Sequence, residues 1–325
     1  MLKPEIEDGQ ATLADPLFRA DVLQGLAARP RAIPARWFYD RRGSELFEAI
    51  TGLPEYYLTR AERAILTQAG PPIAAHVGPG RAVVEFGSGS SAKTPLLLRA
   101  VDPAAYVPVD ISGEFLRASA ASLADQFPGL PVLAVEADFL RTVTLPRQIA
   151  AAPKLGFFPG STIGNVTPEV AVDLLRAMRA SLGTGAMLLI GMDRVKSLDM
   201  LLPAYDDTQG VTAAFNLNLA ARINRELAGT IPLDALRHVV RWNEPLARIE
   251  MHLEAMRDIA FTVAGRDFAM AAGETIHTEN SHKYDARAAR LLLAAGGWTP
   301  IGEWSDEEAR FAVILAEAQP AVAAP

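Results

Sequence analysis

Several short stretches of this 325-residue chain carry side chains that can do chemistry. The first is Glu85-Phe86-Gly87-Ser88-Gly89-Ser90-Ser91-Ala92-Lys93-Thr94, where an apolar run ends at an acid and a Gly-x-Gly turn follows. Glycines let the backbone approach a ligand closely, and free N–H groups at the start of a following helix face it. A second acid, Asp110, lies at the distance (about 25 residues on) from which a carboxylate can take both ribose hydroxyls. A third, Asp138, can accept from an adenine amino group, and the neighbouring Phe139 offers a ring to stack on it. A dinucleotide fingerprint would place its third glycine at Ala92, and none is there. The pattern fits a nucleoside cofactor with a charged amino-acid tail and no pyrophosphate, such as S-adenosylmethionine.

Two further stretches could face a substrate. Gly160-Ser161-Thr162-Ile163-Gly164-Asn165 is small enough to leave room, and Asn165 supplies both a donor and an acceptor. In Glu274-Thr275-Ile276-His277-Thr278-Glu279-Asn280-Ser281-His282-Lys283-Tyr284, an extended backbone points His277, Glu279 and Ser281 one way and His282 the other. That alternation separates the histidines, no further ligand is evident, and no metal is expected. Glu279 and Ser281 can instead receive a polar, cationic group.

These side chains need a scaffold, and the periodicity supplies one. Apolar runs at 81–86, 105–110, 132–138, 154–160 and 186–193 read as buried parallel strands. Helical patterns fall at 92–100 and 114–126, the latter with Phe115, Leu116, Ser119 and Leu123 on one stripe. Thr167-Pro168-Glu169 starts another helix, with Thr as cap and an acid near the positive end. Its expected apolar face is Val170, Leu174, Leu175, Met178 and Leu182. Strands alternating with helices predict an α/β fold with a doubly wound, mostly parallel sheet, whose ligands sit beyond the strands' carboxyl ends. The alternation breaks after Asp193. Helices are expected at 211–228 and 233–241 and strands at 248–254 and 258–263, before a helix at 286–295 and a strand at 311–315 resume the pattern. An early helix is expected at 21–28, and a frayed Ala/Pro-rich tail at 319–325. The organisation expected is therefore a cofactor domain (61–194 and 286–325) with an inserted α+β substrate domain (195–285, joined by 1–60).

Composition narrows the class. Net charge is −7 and half of the residues are hydrophobic, so the chain has ample core and no basic footprint for nucleic acid. There are no cysteines, which excludes disulfides and thiolate metal sites. The stretch Met1–Gln10 is charged and lacks the apolar core of a signal peptide, and no run is long enough for a membrane span. A cytoplasmic monomer, bound neither to membrane nor to nucleic acid, is the expectation.

With these residues assembled, the sequence resembles the histidine-specific, S-adenosylmethionine-dependent methyltransferases of ergothioneine biosynthesis. The motifs are 37–44 (Trp-Phe-Tyr-Asp-Arg-Arg-Gly-Ser), 53–62 (Leu-Pro-Glu-Tyr-Tyr-Leu-Thr-Arg-Ala-Glu), 85–94, 160–165, 204–207 (Ala-Tyr-Asp-Asp) and 278–281 (Thr-Glu-Asn-Ser). The resemblance implies a Rossmann-like class I methyltransferase fold and conversion of L-histidine to its trimethyl betaine, hercynine. It places Gly87, Lys93, Asp110, Asp138 and Phe139 at cofactor-binding positions. Tyr56, Asn165 and Tyr205 fall where the substrate's amino-acid backbone is held, Glu279 and Ser281 where its imidazole is held, and Tyr39 near the reacting amine. Met251 matches a pocket-wall methionine, and Gly160 and Asn280 also line the substrate positions. Tyr39 and Asn165 are thus the residues expected to act on the amine. The alternatives are a methyltransferase of the same fold acting on another amino acid such as a tryptophan derivative, a nicotinamide-dependent oxidoreductase, and a non-catalytic ligand-binding regulator. The Glu279/Ser281 pair speaks against the first and the missing third glycine against the second. The intact Tyr39, Tyr56, Asn165 and Tyr205 set speaks against the third.

Overall fold

The computed structural model describes residues 15–320 other than Ser90 and Ser112, together with the backbone but not the side chains of Glu114 and Phe115. The charged N-terminal stretch, the end of the tail and the Phe115 side chain of the helical stripe therefore lie outside the described residues. In chain order the strands are β1 (Arg31–Ala32), β2 (Ala82–Phe86), β3 (Ala105–Asp110), β4 (Val135–Glu136), β5 (Lys154–Phe158) and β6 (Met187–Asp193). Then follow β7 (Leu236–Asn243), β8 (Arg248–Ala255), β9 (Ile259–Val263), β10 (Arg266–Met270), β11 (Thr275–His282), β12 (Trp298–Ser305) and β13 (Phe311–Ala318). The chain forms two compact units. The smaller comprises Met1–Phe47, Gly210–Val239 and Met251–Glu279, and the larger comprises Glu48–Gln209, Val240–Glu250 and Asn280–Pro325.

The larger unit is built on a seven-stranded sheet of order β12-β13-β6-β5-β2-β3-β4. Its β4-β3-β2-β5-β6 portion is parallel, and β13 and β12 complete it as an antiparallel hairpin. This is the Rossmann-like arrangement of class I methyltransferases. The parallel strands are nearly continuous apolar runs because both faces are covered: β2 and β6 are buried at every residue. Val84, Val107, Leu188, Ile190 and Phe158 form the core with Leu174, Leu175, Met178 and Leu182 of the helix Pro168–Leu182. Each such side chain contributes roughly 1.5–3 kcal/mol by leaving water.

Several sequence expectations need correction. Helix 92–100 begins only at Thr94, because the glycine turn runs on through Lys93. Strand 132–138 reduces to β4, with one isolated bridge from Val132 to Tyr106. In the helix Pro168–Leu182, Ala171 packs inward and Val170 is exposed. Thr167 makes no side-chain cap to the backbone, and its hydroxyl serves Glu169 instead. The helix expected at 233–241 is a single 3-10 turn at Leu233–Ala235 followed by β7, whose Val239-Val240 pair and Trp242 suit a pleated strand. Strand β12 was not among the sequence expectations, and its Pro300 and Gly302 are residues that interrupt a strand pattern. It is an edge strand that takes both through a register shift. The first helix is longer than expected, Pro16–Ala27, capped by the Asp15 carboxylate with Pro16 in its first turn.

The smaller unit uses β1, the start of β7 and most of β8 and β11, which belong to one sheet of order β1-β11-β8-β7. An antiparallel hairpin, β9-β10, accompanies it. Its helix Val211–Glu226 buries Phe215, Asn216, Asn218, Leu219 and Ile223. Two buried asparagines in a helix require partners. Asn218 donates to Asp40 (2.8 Å), and Asn216 donates to the His252 carbonyl (3.0 Å) and accepts from Thr278 (2.8 Å).

Beneath the glycine turn of the larger unit sits a buried carboxyl group. Glu85 is 2% exposed, and its Oε2 accepts from the Tyr106 hydroxyl (2.5 Å) and the Thr94 hydroxyl (2.7 Å). The acid read as a ligand-facing strand end therefore points inward and ties β2 to β3 and to the following helix. Burial raises its pKa to about 7, against the opposing effect of those two hydrogen bonds. With the folded value above the ordinary 4.5, stability is fullest below that value and falls as pH rises through about 7, by about 3 kcal/mol. Glu85→Gln removes the titration and keeps an acceptor for both hydroxyls. Urea unfolding at about pH 5 and about pH 7.5 should show a smaller loss for the variant than for the parent; equal losses would exclude Glu85 as the source.

Candidate active site

In the larger unit the carboxyl ends of the parallel strands converge on the glycine turn. Gly87 has φ +70° and Gly89 +48°, in the region that side chains resist. A Cβ on Gly87 would stand 3.2 Å from the Phe139 ring, so the glycine also allows that ring to close over the turn. The Gly87 and Ser88 N–H groups donate to the Val109 carbonyl (2.8 and 3.2 Å), and Gly89 N–H donates to Asp110 Oδ2 (3.0 Å). Ser119 reaches the Gly89 carbonyl from the helix Gly113–Gln126 (3.0 Å). Phe139 leans on Phe158 with ring centroids 6.0 Å apart, and Asp138 is exposed, with Oδ1 capping Leu140 N–H (3.0 Å). The structure thus brings Gly87, Asp110 and Phe139 to one corner. A turn, an acid and a ring so arranged fit the nucleoside end of a cofactor.

Lys93 ends this turn, and its ammonium is hydrogen-bonded to Glu62, which is fully buried. The same carboxylate accepts the Gly160 N–H (2.9 Å) and so links the cofactor turn to the Gly160 loop. A Cβ at Gly191 would fall 2.1 Å from Glu62 Oε1, so that strand glycine makes the space for it. Glu62 closes the 53–62 motif, and only its position there hinted at a role.

The Gly160 loop turns through Gly160 (φ +81°) and Ser161 (φ +58°) into a 3-10 turn ending at Asn165. Gly164 lies flat against β11: a Cβ there would meet the His282 carbonyl oxygen at 2.8 Å. His282 Nδ1 is 2.9 Å from the Gly164 carbonyl, and burial lowers its pKa. Tyr56 and Tyr205 are both buried, with ring centroids 6.4 Å apart and edge to face. Glu55 accepts from the Thr208 hydroxyl (2.8 Å) and so pins the Tyr205 loop to the Pro54 turn. Tyr205 OH lies 2.7 Å from Ser281 Oγ. Asn280, next to Ser281 in the chain, buries its side-chain oxygen with no hydrogen-bond partner among the described residues.

Behind these hydroxyls stands a charge cluster that sequence reasoning missed. Asp193, at the end of β6, is fully buried; its carboxylate accepts from Tyr57 OH (2.7 Å), Lys196 Nζ (2.6 Å) and Lys283 Nζ (2.8 Å). Desolvation, helped by the neighbouring Lys283 ammonium and opposed by Asp193, brings Lys196 down to about 8. Burial first, and then the Asp193 charge, raises Tyr57 far above the ordinary phenol range.

In the smaller unit, Tyr39 follows a 3-10 turn and its ring stands edge-on to Phe47 (5.6 Å) and Phe215 (5.8 Å). Asp40 sets that turn by accepting Gly43 N–H (2.7 Å), Asn218 (2.8 Å) and Arg225 (2.5 Å). A Cβ on Gly43 would collide with the Phe38 carbonyl, which explains the glycine inside the 37–44 motif. Met251 is buried, and its carbonyl takes the Thr278 hydroxyl (3.0 Å). Glu279 is part-buried at the end of this unit's share of β11, and His277 Nε2 lies 2.9 Å from its carbonyl oxygen. His277 stacks on His252 with centroids 4.9 Å apart.

Comparison with known proteins shows the family. The family described as "Histidine-specific methyltransferase, SAM-dependent" matches residues 18–318. The chain is 40% identical to the histidine N-alpha-methyltransferase of Mycolicibacterium smegmatis, over 92% of this chain and 94% of that one. The Mycobacterium tuberculosis protein of the same name is 41% identical, with the same coverage. Ergothioneine biosynthesis protein 1 of Neurospora crassa is 31% identical over 85% of this chain, a match spanning 32% of the fungal protein. On the match over nearly its whole length, and with the glycine turn and strand-end acids in place, the chain belongs to the histidine-specific, S-adenosylmethionine-dependent methyltransferases.

Proposed function

We propose that the protein transfers three methyl groups in succession from S-adenosylmethionine to the α-amino nitrogen of L-histidine, giving hercynine, the first step of ergothioneine biosynthesis. The observation that carries this reading is the family match across 18–318, a range that contains every quoted motif. The corner formed by Gly87, Asp110 and Phe139 supports the cofactor, and Lys93 and Asp138 complete the set assigned to it. The methyl donor, when bound, supplies an electrophilic carbon on a sulfonium; the amine's lone pair takes that carbon and sulfur keeps the bonding electrons. Such an in-line displacement asks the protein for positioning and for exclusion of water. No metal is invoked.

The chain's own residues then have separable tasks. Tyr56, Asn165 and Tyr205 hold the amino-acid backbone, with Gly160, Asn280 and Met251 lining the space around it. Tyr39 and Asn165 direct the neutral amine, which must shed a proton before each transfer because a free amine is mostly protonated at neutral pH. No histidine or lysine is assigned to take that proton, and water relayed past Tyr39 is the acceptor in this reading. The small residues of 160–164 leave volume for the growing ammonium. Glu279 accepts an imidazole N–H and Ser281 meets the other ring nitrogen. An indole or phenyl ring lacks imidazole's pair of ring nitrogens and cannot satisfy Glu279 and Ser281 together, a penalty of roughly 1–3 kcal/mol. The protein works in this reading as a cytoplasmic monomer, and among its described residues no helix is long and apolar enough to cross a membrane.

Mass spectrometry of the purified protein with S-adenosylmethionine and each common amino acid in turn tests the reading. A gain of three methyl groups on histidine alone is expected; methylation of a different amino acid, and not histidine, would overturn the substrate. Glu279→Ala should lower the preference for histidine over tryptophan, in kcat/KM, by about tenfold or more, and an unchanged ratio removes Glu279 from ring recognition. Tyr39→Phe should reduce kcat by at least about tenfold while S-adenosylhomocysteine affinity stays within about twofold. Unaltered turnover would exclude the Tyr39 hydroxyl from the mechanism.

A further inference from the structure

Lys283 is the least accessible cation near the assigned substrate residues, with a side chain 0% exposed. Its ammonium lies 2.7 Å from Tyr205 OH, 2.8 Å from Ser281 Oγ and 2.8 Å from Asp193 Oδ2. It also stands 4.7 Å from the centroid of the Tyr205 ring. An ammonium only donates, so both hydroxyl oxygens act as acceptors toward it. The two oxygens are themselves 2.7 Å apart, a distance that requires one hydrogen between them. Of the two hydroxyl hydrogens, one therefore lies between Tyr205 and Ser281, and the other must point away from Lys283. If Ser281 donates to Tyr205, the phenol O–H is the one directed outward; if Tyr205 donates, the serine O–H is.

We propose that Lys283 is a positioning residue for substrate recognition: its buried ammonium locks Tyr205 and Ser281 into one coupled pair that presents a single outward O–H. This rests on the reading above, in which Tyr205 holds the backbone end of histidine and Ser281 its ring. Under that reading the two ends of the substrate are not recognised independently. The hydroxyl that donates to one end obliges the other to accept, and Lys283 enforces the choice by occupying a lone pair on each oxygen. Asp193 holds the ammonium in place and balances its charge, since a buried unpaired cation is strongly unfavourable.

The test uses the full chain with five variants: Tyr205→Phe, Ser281→Ala, the double variant Tyr205→Phe/Ser281→Ala, Lys283→Met and the doubly neutral Asp193→Asn/Lys283→Met. Histidine KM and kcat are measured with S-adenosylhomocysteine affinity by calorimetry and Tm by thermal unfolding. Lys283→Met should raise KM for histidine about tenfold or more, with kcat and S-adenosylhomocysteine affinity each changed less than about threefold. The doubly neutral variant removes both charges of the Asp193–Lys283 pair while Lys196 stays, and it should leave KM high whatever its Tm, because it does not restore the ammonium. Tyr205→Phe and Ser281→Ala should each raise KM, and their combined effect should fall short of additive in the presence of Lys283. If the two hydroxyl variants raise KM and Lys283→Met does not, the inference about Lys283 fails alone. If neither hydroxyl variant changes KM, the substrate assignment fails and takes the inference with it. Recovery of KM together with Tm in the doubly neutral variant would reduce Lys283 to a structural ion pair. Should Lys283→Met not fold, the doubly neutral variant carries the same expectation for KM.

Discussion

The Asp193 carboxylate, sealed at the end of β6, is the constraint on which the larger unit's functional end depends. Its oxygens gather Tyr57, Lys196 and Lys283, its own N–H donates to Ser161 Oγ, and its carbonyl accepts from Tyr284 N–H. One residue thereby ties together the start of the Tyr57 helix, the Gly160 loop and the end of β11. A buried charge this well connected is stable only while its partners remain, because its desolvation is offset by their donors and by the Arg194 N–H (3.1 Å). The geometry of the loops follows from that condition.

Glu62 repeats the device on the cofactor side. It too is buried, and it spans from the Lys93 ammonium to the Gly160 N–H. Glu85 is a third inward acid, but its partners are neutral hydroxyls, and burial therefore carries it to a pKa of about 7. The contrast lies in the partner: beside an ammonium a buried acid gains a compensating charge, whereas beside hydroxyls it is driven toward its neutral form. These acids anchor turns that must stay open to ligands. Asp110 and Asp138 are less enclosed and remain near the strand ends as candidates for direct contact.

How much of this was legible in the sequence depended on range. The parallel strands and the Gly87 turn were readable because both rest on local patterns, apolar runs and glycines in a fixed order. The 37–44, 53–62 and 278–281 motifs located Tyr39, Tyr56, Glu279 and Ser281 through resemblance. Lys283 and Asp193 were not legible: one is a lysine after a motif's end, the other an acid at a strand's end, and only folding brings them within 2.8 Å. Strand β7 was misread as helix because Leu236, Val239 and Val240 fit either period, and pairing with β8 decided the matter. Pro300 and Gly302 concealed β12 for the opposite reason, since an edge strand tolerates both.

The place of β13 in the sheet has a consequence for how the protein comes to exist. It lies between β12 and β6, pairing with β6 from Phe311↔Asp193 to Glu317↔Met187. Most of the smaller unit's sequence is synthesised between those two partners. A nascent chain that has finished β6 therefore carries an open strand edge, apolar up to its closing Asp193, past the ribosome while the intervening residues emerge. Long-range closure of this kind is slow, and unpaired apolar edges are where chains associate wrongly. Early folding of the intervening residues would shorten the effective distance to be closed, so the smaller unit's sequence doubles as the tether that governs when the larger unit's sheet can be completed.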